Sequence, residues 1–110
     1  MTKQEVNYYV YVIGLDKTVV EAKRFRERNP NYVEGKPCVY VGQSYHKPEE
    51  RFAQHLEGYK SSRIPRKYGK YLNKRLYESI NPISTREEAE RKEEELAAKL
   101  LAKGYGVWWG

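Results

Sequence analysis

The alternation of apolar and polar positions predicts a strand over residues 7–15. Tyr8, Tyr9, Val10, Tyr11, Val12 and Ile13 are aromatic or β-branched and uncharged, and Gly14 closes the run. A period of two puts Tyr9, Tyr11 and Ile13 on one face and Tyr8, Val10 and Val12 on the other. Over 18–28 the spacing turns helical, with Ala22 and Phe25 inward and Lys23, Arg24, Arg26 and Arg28 outward. Asn29, Pro30 and Asn31 stop that helix, because the residue before a proline is driven from the α region. After a turn at Gly35, Lys36 and Pro37, residues 38–41 form a second strand. The two strands are expected to pair antiparallel, with 16–37 as a connection too long for a simple hairpin.

The second half of the chain is mostly helical in pattern. Pro48 suits a first helical position, Glu49 and Glu50 suit the positive N-terminal end, and Phe52, Leu56 and Tyr59 make an apolar stripe. Residues 60–75 then carry Lys60, Arg63, Arg66, Lys67, Lys70, Lys74 and Arg75 without one acid, with Tyr68 and Tyr71 between them. Residues 76–80 alternate briefly and fit either a strand or a single helical turn. Asn81 and Pro82 break the chain again. Thr85 with Glu88 is a capping box that opens a helix running to about Lys103, ended by Gly104. Val107, Trp108 and Trp109 read as a short final strand or a docked tail.

Size and composition narrow the classes. The 110 residues suffice for a single domain, 1–110, with a core of moderate size. A net charge of +6 favours an anionic partner such as nucleic acid, the alternative being a solvated basic surface. Cys38 is the only cysteine, which excludes a disulfide framework and a thiolate metal cluster. No apolar run approaches the roughly 20 residues that span a bilayer, so no membrane partner is expected. Residues 1–5 lack the apolar core of a leader, and a cytoplasmic location is the default expectation.

Some side chains break the pattern in ways that point to chemistry. The last helix buries a stripe of Ala89, Leu96, Ala97 and Leu100, with Leu101 in a second row, and helical spacing places Glu93 on it. A carboxylate there is costly unless paired or metal-bound. Three readings stand: a functional acid, a partly exposed stripe edge, or a salt bridge to a helix-borne arginine. The neighbouring Glu90, Glu94 and Glu95 point mostly to solvent. Arg51 and His55 are four apart and share a helix face beside Phe52 and Leu56. There they sit at a pocket rim or on an ordinary solvated face. Arginine offers planar bidentate donors to a phosphate, and histidine exchanges protons near neutral pH. His46 lies in the turn before that helix and is expected to cap it or face solvent. Asp16 is the only aspartate, so the carboxylate cluster of a two-metal site is not available. A single hard cation on Glu93 would fit better.

These residues, in this order, resemble the GIY-YIG endonuclease family over about residues 8–103. Tyr9, Val10 and Tyr11 stand at the first motif, and Tyr40, Val41 and Gly42 at the second. Arg51 follows at a matching distance, His55 one turn later, and Glu93 in a late helix. Tyr9 replaces the first motif's glycine, Val41 the second motif's isoleucine, and Gln43 stands where many members carry a basic residue.

The resemblance implies an α/β (α+β) fold with a small central antiparallel β-sheet of about three strands flanked by helices. It implies a metal-dependent endonuclease that hydrolyses nucleic-acid phosphodiester bonds, in DNA rather than RNA, with one Mg2+ or Mn2+ ion held by Glu93. Tyr11 would take the proton of the attacking water, helped by nearby positive charge. Arg51 would bind the phosphate, and Tyr40 and His55 would orient water and phosphate. Lys60, Arg63, Arg66, Lys67, Lys70 and Lys74 would contact the nucleic-acid backbone, with Tyr68 or Tyr71 stacking on unpaired bases. A non-catalytic nucleic-acid-binding domain on the same fold is the alternative, and a basic domain with a protein partner is a third. So short a chain leaves targeting to loops, a homodimer or a protein partner.

Overall fold

The two tyrosine-rich runs become antiparallel neighbours, strand β1 (Tyr9–Leu15) and strand β2 (Cys38–Ser44), in a computed structural model that describes residues 6–109. Residues 1–5, read for a leader, lie outside the described residues. Between the strands come a 3-10 turn (Lys17–Glu21) and helix α1 (Lys23–Arg28). Helices α2 (Pro48–Glu57) and α3 (Arg63–Tyr68), strand β3 (Gly69–Leu72) and a second 3-10 turn (Lys74–Leu76) follow. Helix α4 (Arg86–Ala102) and strand β4 (Gly106–Trp109) complete the order. Among the described residues no helix is long and apolar enough to cross a membrane.

The α+β class expected from the sequence is the one observed, with two differences in the sheet. It has four strands in the order β3-β1-β2-β4, and it is mixed, because β4 runs parallel to β2. Parallel neighbours need a long crossover, which α4 supplies. β3 lies within the basic stretch, on the sheet edge, where outward Lys70 and Tyr71 hide its strand character. β1 and β2 occupy the centre. Val10, Val12, Val39 and Val41 are as buried as Tyr11, Ile13 and Tyr40, so both sheet faces are covered.

The local signals held where a capping side chain or a proline carried them. Pro48 opens α2, and Thr85 Oγ1 accepts the Glu88 N–H at 3.2 Å to open α4. Ala89, Leu96, Ala97 and Leu100 are buried. The helix expected over 18–28 splits at Ala22, whose extended backbone (φ −74°, ψ 121°) separates the 3-10 turn from α1. The stripe expected on α2 is rotated. Leu56 and Tyr59 are exposed and Phe52 is half-buried, while Pro48 and His55 face the core. Residues 76–80 form hydrogen-bonded turns, not a strand.

Two asparagines complete the sheet where a strand is missing. The Asn29 amide accepts from Val107 N–H at 2.8 Å and donates to Val107 C=O at 3.0 Å, as a further strand beside β4 would. Asn81 does the same for β1, accepting from Val10 N–H and donating to Val10 C=O, each at 2.8 Å. Each amide satisfies one donor and one acceptor that could not otherwise be buried. Asn29→Ala should therefore lower unfolding free energy by about 2–6 kcal/mol, since two buried groups lose partners at about 1–3 kcal/mol each. Urea unfolding checks this, and a loss below about 0.5 kcal/mol, the scale of surface substitutions, contradicts it.

Candidate active site

Register brings the two motif tyrosines together. Tyr11 lies opposite Gly42, and residues directly opposite in an antiparallel pair project from the same face. A Cβ on Gly42 would stand 2.5 Å from Tyr11 Oη and 2.9 Å from a Tyr40 ring carbon. The glycine is there for space. Without its side chain, the Tyr11 and Tyr40 rings fit 6.1 Å apart in one cleft of about 310 Å3, shared with Arg51, His55, Lys60 and Glu93.

Tyr11 Oη lies 2.8 Å from His55 Nε2, and His55 Nδ1 lies 2.6 Å from Ser61 Oγ. Ser61 Oγ donates to the Ser62 carbonyl at 3.1 Å. Its proton being engaged, it accepts from Nδ1–H, which leaves Nε2 to accept the Tyr11 proton. His55 is 1% exposed, and burial, followed by the charge of Arg51, pushes its pKa down to about 4. It is neutral at pH 7, as an acceptor must be. The sequence led us to expect His55 to orient water and phosphate. Instead both ring nitrogens are engaged, and it stands behind Tyr11. The expected help of positive charge to Tyr11 is also outweighed. Burial, then Tyr40, raises its pKa well above the usual tyrosine value, with Arg51 opposing.

Arg51 is tied to the loop after α2. Gly58, at φ 87°, reverses the chain so that the Tyr59 and Lys60 carbonyls face the guanidinium. Nη1 donates to Tyr59 O and Gln54 Oε1 at 3.0 Å each, and Nη2 donates to Lys60 O at 2.7 Å. Of five N–H donors, two remain, the number a bidentate phosphate contact uses.

Glu93 is half-buried in the cleft, with Glu90 and Glu94 beside it. It makes no hydrogen bond or ion pair among the described residues, and the adjacent Arg91 bonds Glu88 and approaches Glu95 instead. The salt-bridge alternative is therefore not what is observed, while the half-burial of Glu93 agrees with a place at the edge of the apolar stripe. Burial, then Glu94 and Glu90, pushes the Glu93 pKa up to about 7. Among the described residues no group of three His, Cys, Asp or Glu side chains could hold a metal ion. A full protein cage is thus lacking. An ion that keeps most of its waters needs only one or two carboxylates, and Glu93 with Glu90 or Glu94 matches that hard-oxygen donor set.

The basic stretch does not act as one surface. Lys60 joins the cleft, whereas Arg63 and Lys67 line a separate groove. Lys70 pairs with Asp16 at 2.7 Å and Lys74 with Glu49 at 3.7 Å, acids brought by other elements. Arg66 is exposed and lines neither cavity. Tyr71 lays its ring over Gly14, where a Cβ would come within 2.3 Å of it, and Tyr68 packs against the core. Neither is a free stacking platform on both faces. His46 approaches Glu50 at 3.7 Å, outside the cleft.

Sequence reasoning missed Ser61, which no periodicity marks because it sits in a loop. Glu90 and Glu94 are exposed, as expected, and stand at the same cleft rim as Glu93, a role that their solvent-facing positions did not signal. Gln43 stood out only as a departure from a motif. It lines the cleft, and its Oε1 is buried without a hydrogen-bond partner among the described residues.

No protein-family model, curated protein or solved structure matches the chain.

The histidine network has a pH signature. The folded chain resists protonating His55 below its ordinary value, whereas the unfolded chain accepts the proton near pH 6.5. The stability held by neutral His55 is therefore complete above about pH 6.5 and lost as pH falls toward 4. Wild type should lose its stability margin over His55→Gln between pH 7 and 4.5 in thermal melts. A margin constant across that range would rule out a buried neutral His55.

Proposed function

We propose that the chain is a divalent-metal-dependent endonuclease, acting in the cytoplasm on nucleic acid, with DNA as the favoured substrate. The observation that carries the reading is the meeting of Tyr11, Tyr40, Arg51, His55 and Glu93 in one cleft, with Tyr11 hydrogen-bonded to a histidine acceptor. The resemblance of the motifs to the GIY-YIG family supports it.

Arg51 takes the scissile phosphate on its two remaining donors, and the Lys60 ammonium adds charge at the same rim. Tyr11 accepts a proton from the attacking water while its own hydroxyl proton passes to His55 Nε2. As the water oxygen bonds to phosphorus the opposite ester P–O bond breaks, and the departing oxygen takes a proton from solvent. A free phenolate is never needed, which matters because burial disfavours one. Bound phosphodiester offsets the Arg51 charge that helps depress His55, making the imidazole a better acceptor during the reaction. Tyr40 lines the cleft beside Tyr11 and orients the phosphate. Gln43 offers an unpartnered amide oxygen to a substrate donor. Glu93, flanked by Glu90 and Glu94, would hold Mg2+ or Mn2+, which when bound supplies Lewis-acid stabilisation of the developing phosphate charge.

Purified protein should cleave DNA with Mg2+ or Mn2+ and be inert in EDTA. Glu93→Ala and Arg51→Ala should each lower cleavage by about 10²–10³-fold or more, with circular dichroism unchanged. Persistent cleavage by Glu93→Ala refutes the metal site, and DNA binding without cleavage of any duplex, single-stranded or branched substrate refutes the enzyme.

Metal binding also carries a pH dependence. Because the Glu93 pKa is raised, its neutral form is favoured at low pH, and a destabilising charge develops as pH rises through about 7. Mg2+ must displace that proton, so affinity should rise toward pH 7 and level off above it. At pH 8 without metal, Glu93→Gln should melt above wild type, and added Mg2+ should raise the wild-type melting temperature only. A Mg2+ shift of equal size in Glu93→Gln would place the cation elsewhere.

A further inference from the structure

A cationic cavity separate from the cleft is not used by the chemistry described for the cleft. It is a groove of about 510 Å3 between the start of α1 and α3, lined by Lys23, Arg24, Arg63 and Lys67. Glu21 is the single acid among its lining residues, and the apolar floor includes Ile64.

The charge state of these four residues separates them from other cations of the chain. Lys70, Lys74, Arg86, Arg91 and Lys92 all stand within ion-pair distance of a carboxylate. The groove residues form no such pair among the described residues. Four like charges facing a shared space repel one another unless an anion lies between them. Lys67 is further drawn to the groove wall by the Tyr68 ring, with its ammonium 5.3 Å from the centroid.

The groove and the cleft meet along the chain at the start of α3. Lys60 and Ser62 line the cleft, and the next residue, Arg63, already lines the groove. A polyanion held at Arg51 and Lys60 needs only to pass the start of α3 to meet the four cations. A polynucleotide strand has this form, with one phosphate per about 3.4 Å of duplex rise.

We propose that the groove between α1 and α3 is a second phosphate-binding site, which holds the backbone of the same polynucleotide strand next to the phosphate in the cleft. The proposal rests on the endonuclease reading and defines the substrate as an extended strand.

The test uses the full chain carrying Glu93→Gln, so that bound DNA is not cut, and a fluorescent DNA duplex followed by anisotropy over a range of salt. Adding Lys23→Gln and Arg24→Gln should weaken binding roughly tenfold at low salt. It should also lower the slope of log K against log[salt] by about 2, the value for two lost phosphate contacts. The pair Lys99→Gln and Lys103→Gln, which removes the same net charge from α4 and the residue after it, should leave that slope unchanged. Equal effects of the two pairs, or no effect of the first, overturn the groove. In the cleavage-competent chain the groove pair should raise KM and leave kcat unchanged at saturating DNA. A groove pair that loses DNA binding in a chain that cuts nothing keeps the groove and removes the endonuclease. A chain that cuts DNA and binds it equally with or without the groove pair does the reverse.

Discussion

Tyr11 fills the space that any side chain on the opposing strand would need, and the cleft is arranged around that ring. Gly42 answers it from β2, Tyr40 packs beside it, and His55 receives its hydroxyl from α2. The dependence runs outward from there. His55 holds its tautomer because Ser61 accepts from the other ring nitrogen, and Ser61 lies just beyond the loop whose carbonyls Arg51 binds. A shift of the Tyr11 ring would thus be felt in a strand, a helix and a loop at once.

Burial sets the electrostatic character of this centre. It raises Tyr11, Tyr40 and Glu93 and lowers His55, so four titratable groups are each pushed toward their neutral forms. The permanent charge of Arg51 stands among them. In the proposed reading a phosphate would offset the Arg51 charge and a metal ion would offset the charge of ionised Glu93. Groups with displaced proton affinities in one concave site are a common mark of function.

Much of the fold was legible from local chemistry. Uncharged tyrosine and valine runs gave β1 and β2, and a proline, a capping threonine and a terminal glycine bounded α2 and α4. The five residues Tyr11, Tyr40, Arg51, His55 and Glu93 were also legible, the last from its misplaced charge on an apolar stripe. What escaped was non-local. β3 was hidden among lysines, because an edge strand tolerates outward charge. The final strand β4 was legible as a short apolar run, but its parallel pairing with β2 was not, because that partner lies far away in sequence. The acids that neutralise Lys70 and Lys74 sit more than twenty residues away in sequence, so a stretch without acids looked freer than it is.

The parallel pairing of β2 with β4 also bears on how the molecule comes together. β1 meets β2 across a connection closed within the first half of the chain, but β4 meets β2 only across the long stretch that ends in α4. Contacts between residues so distant in sequence are slow to close, because a long loop loses its freedom before any bond is gained. Val107, which needs Asn29, and the carboxylate of Glu93 are carried by that same late unit of helix and strand. The tyrosine–histidine centre thus rests on elements from the first 61 residues, whereas its acid is held by the unit whose strand pairing spans the longest stretch of chain.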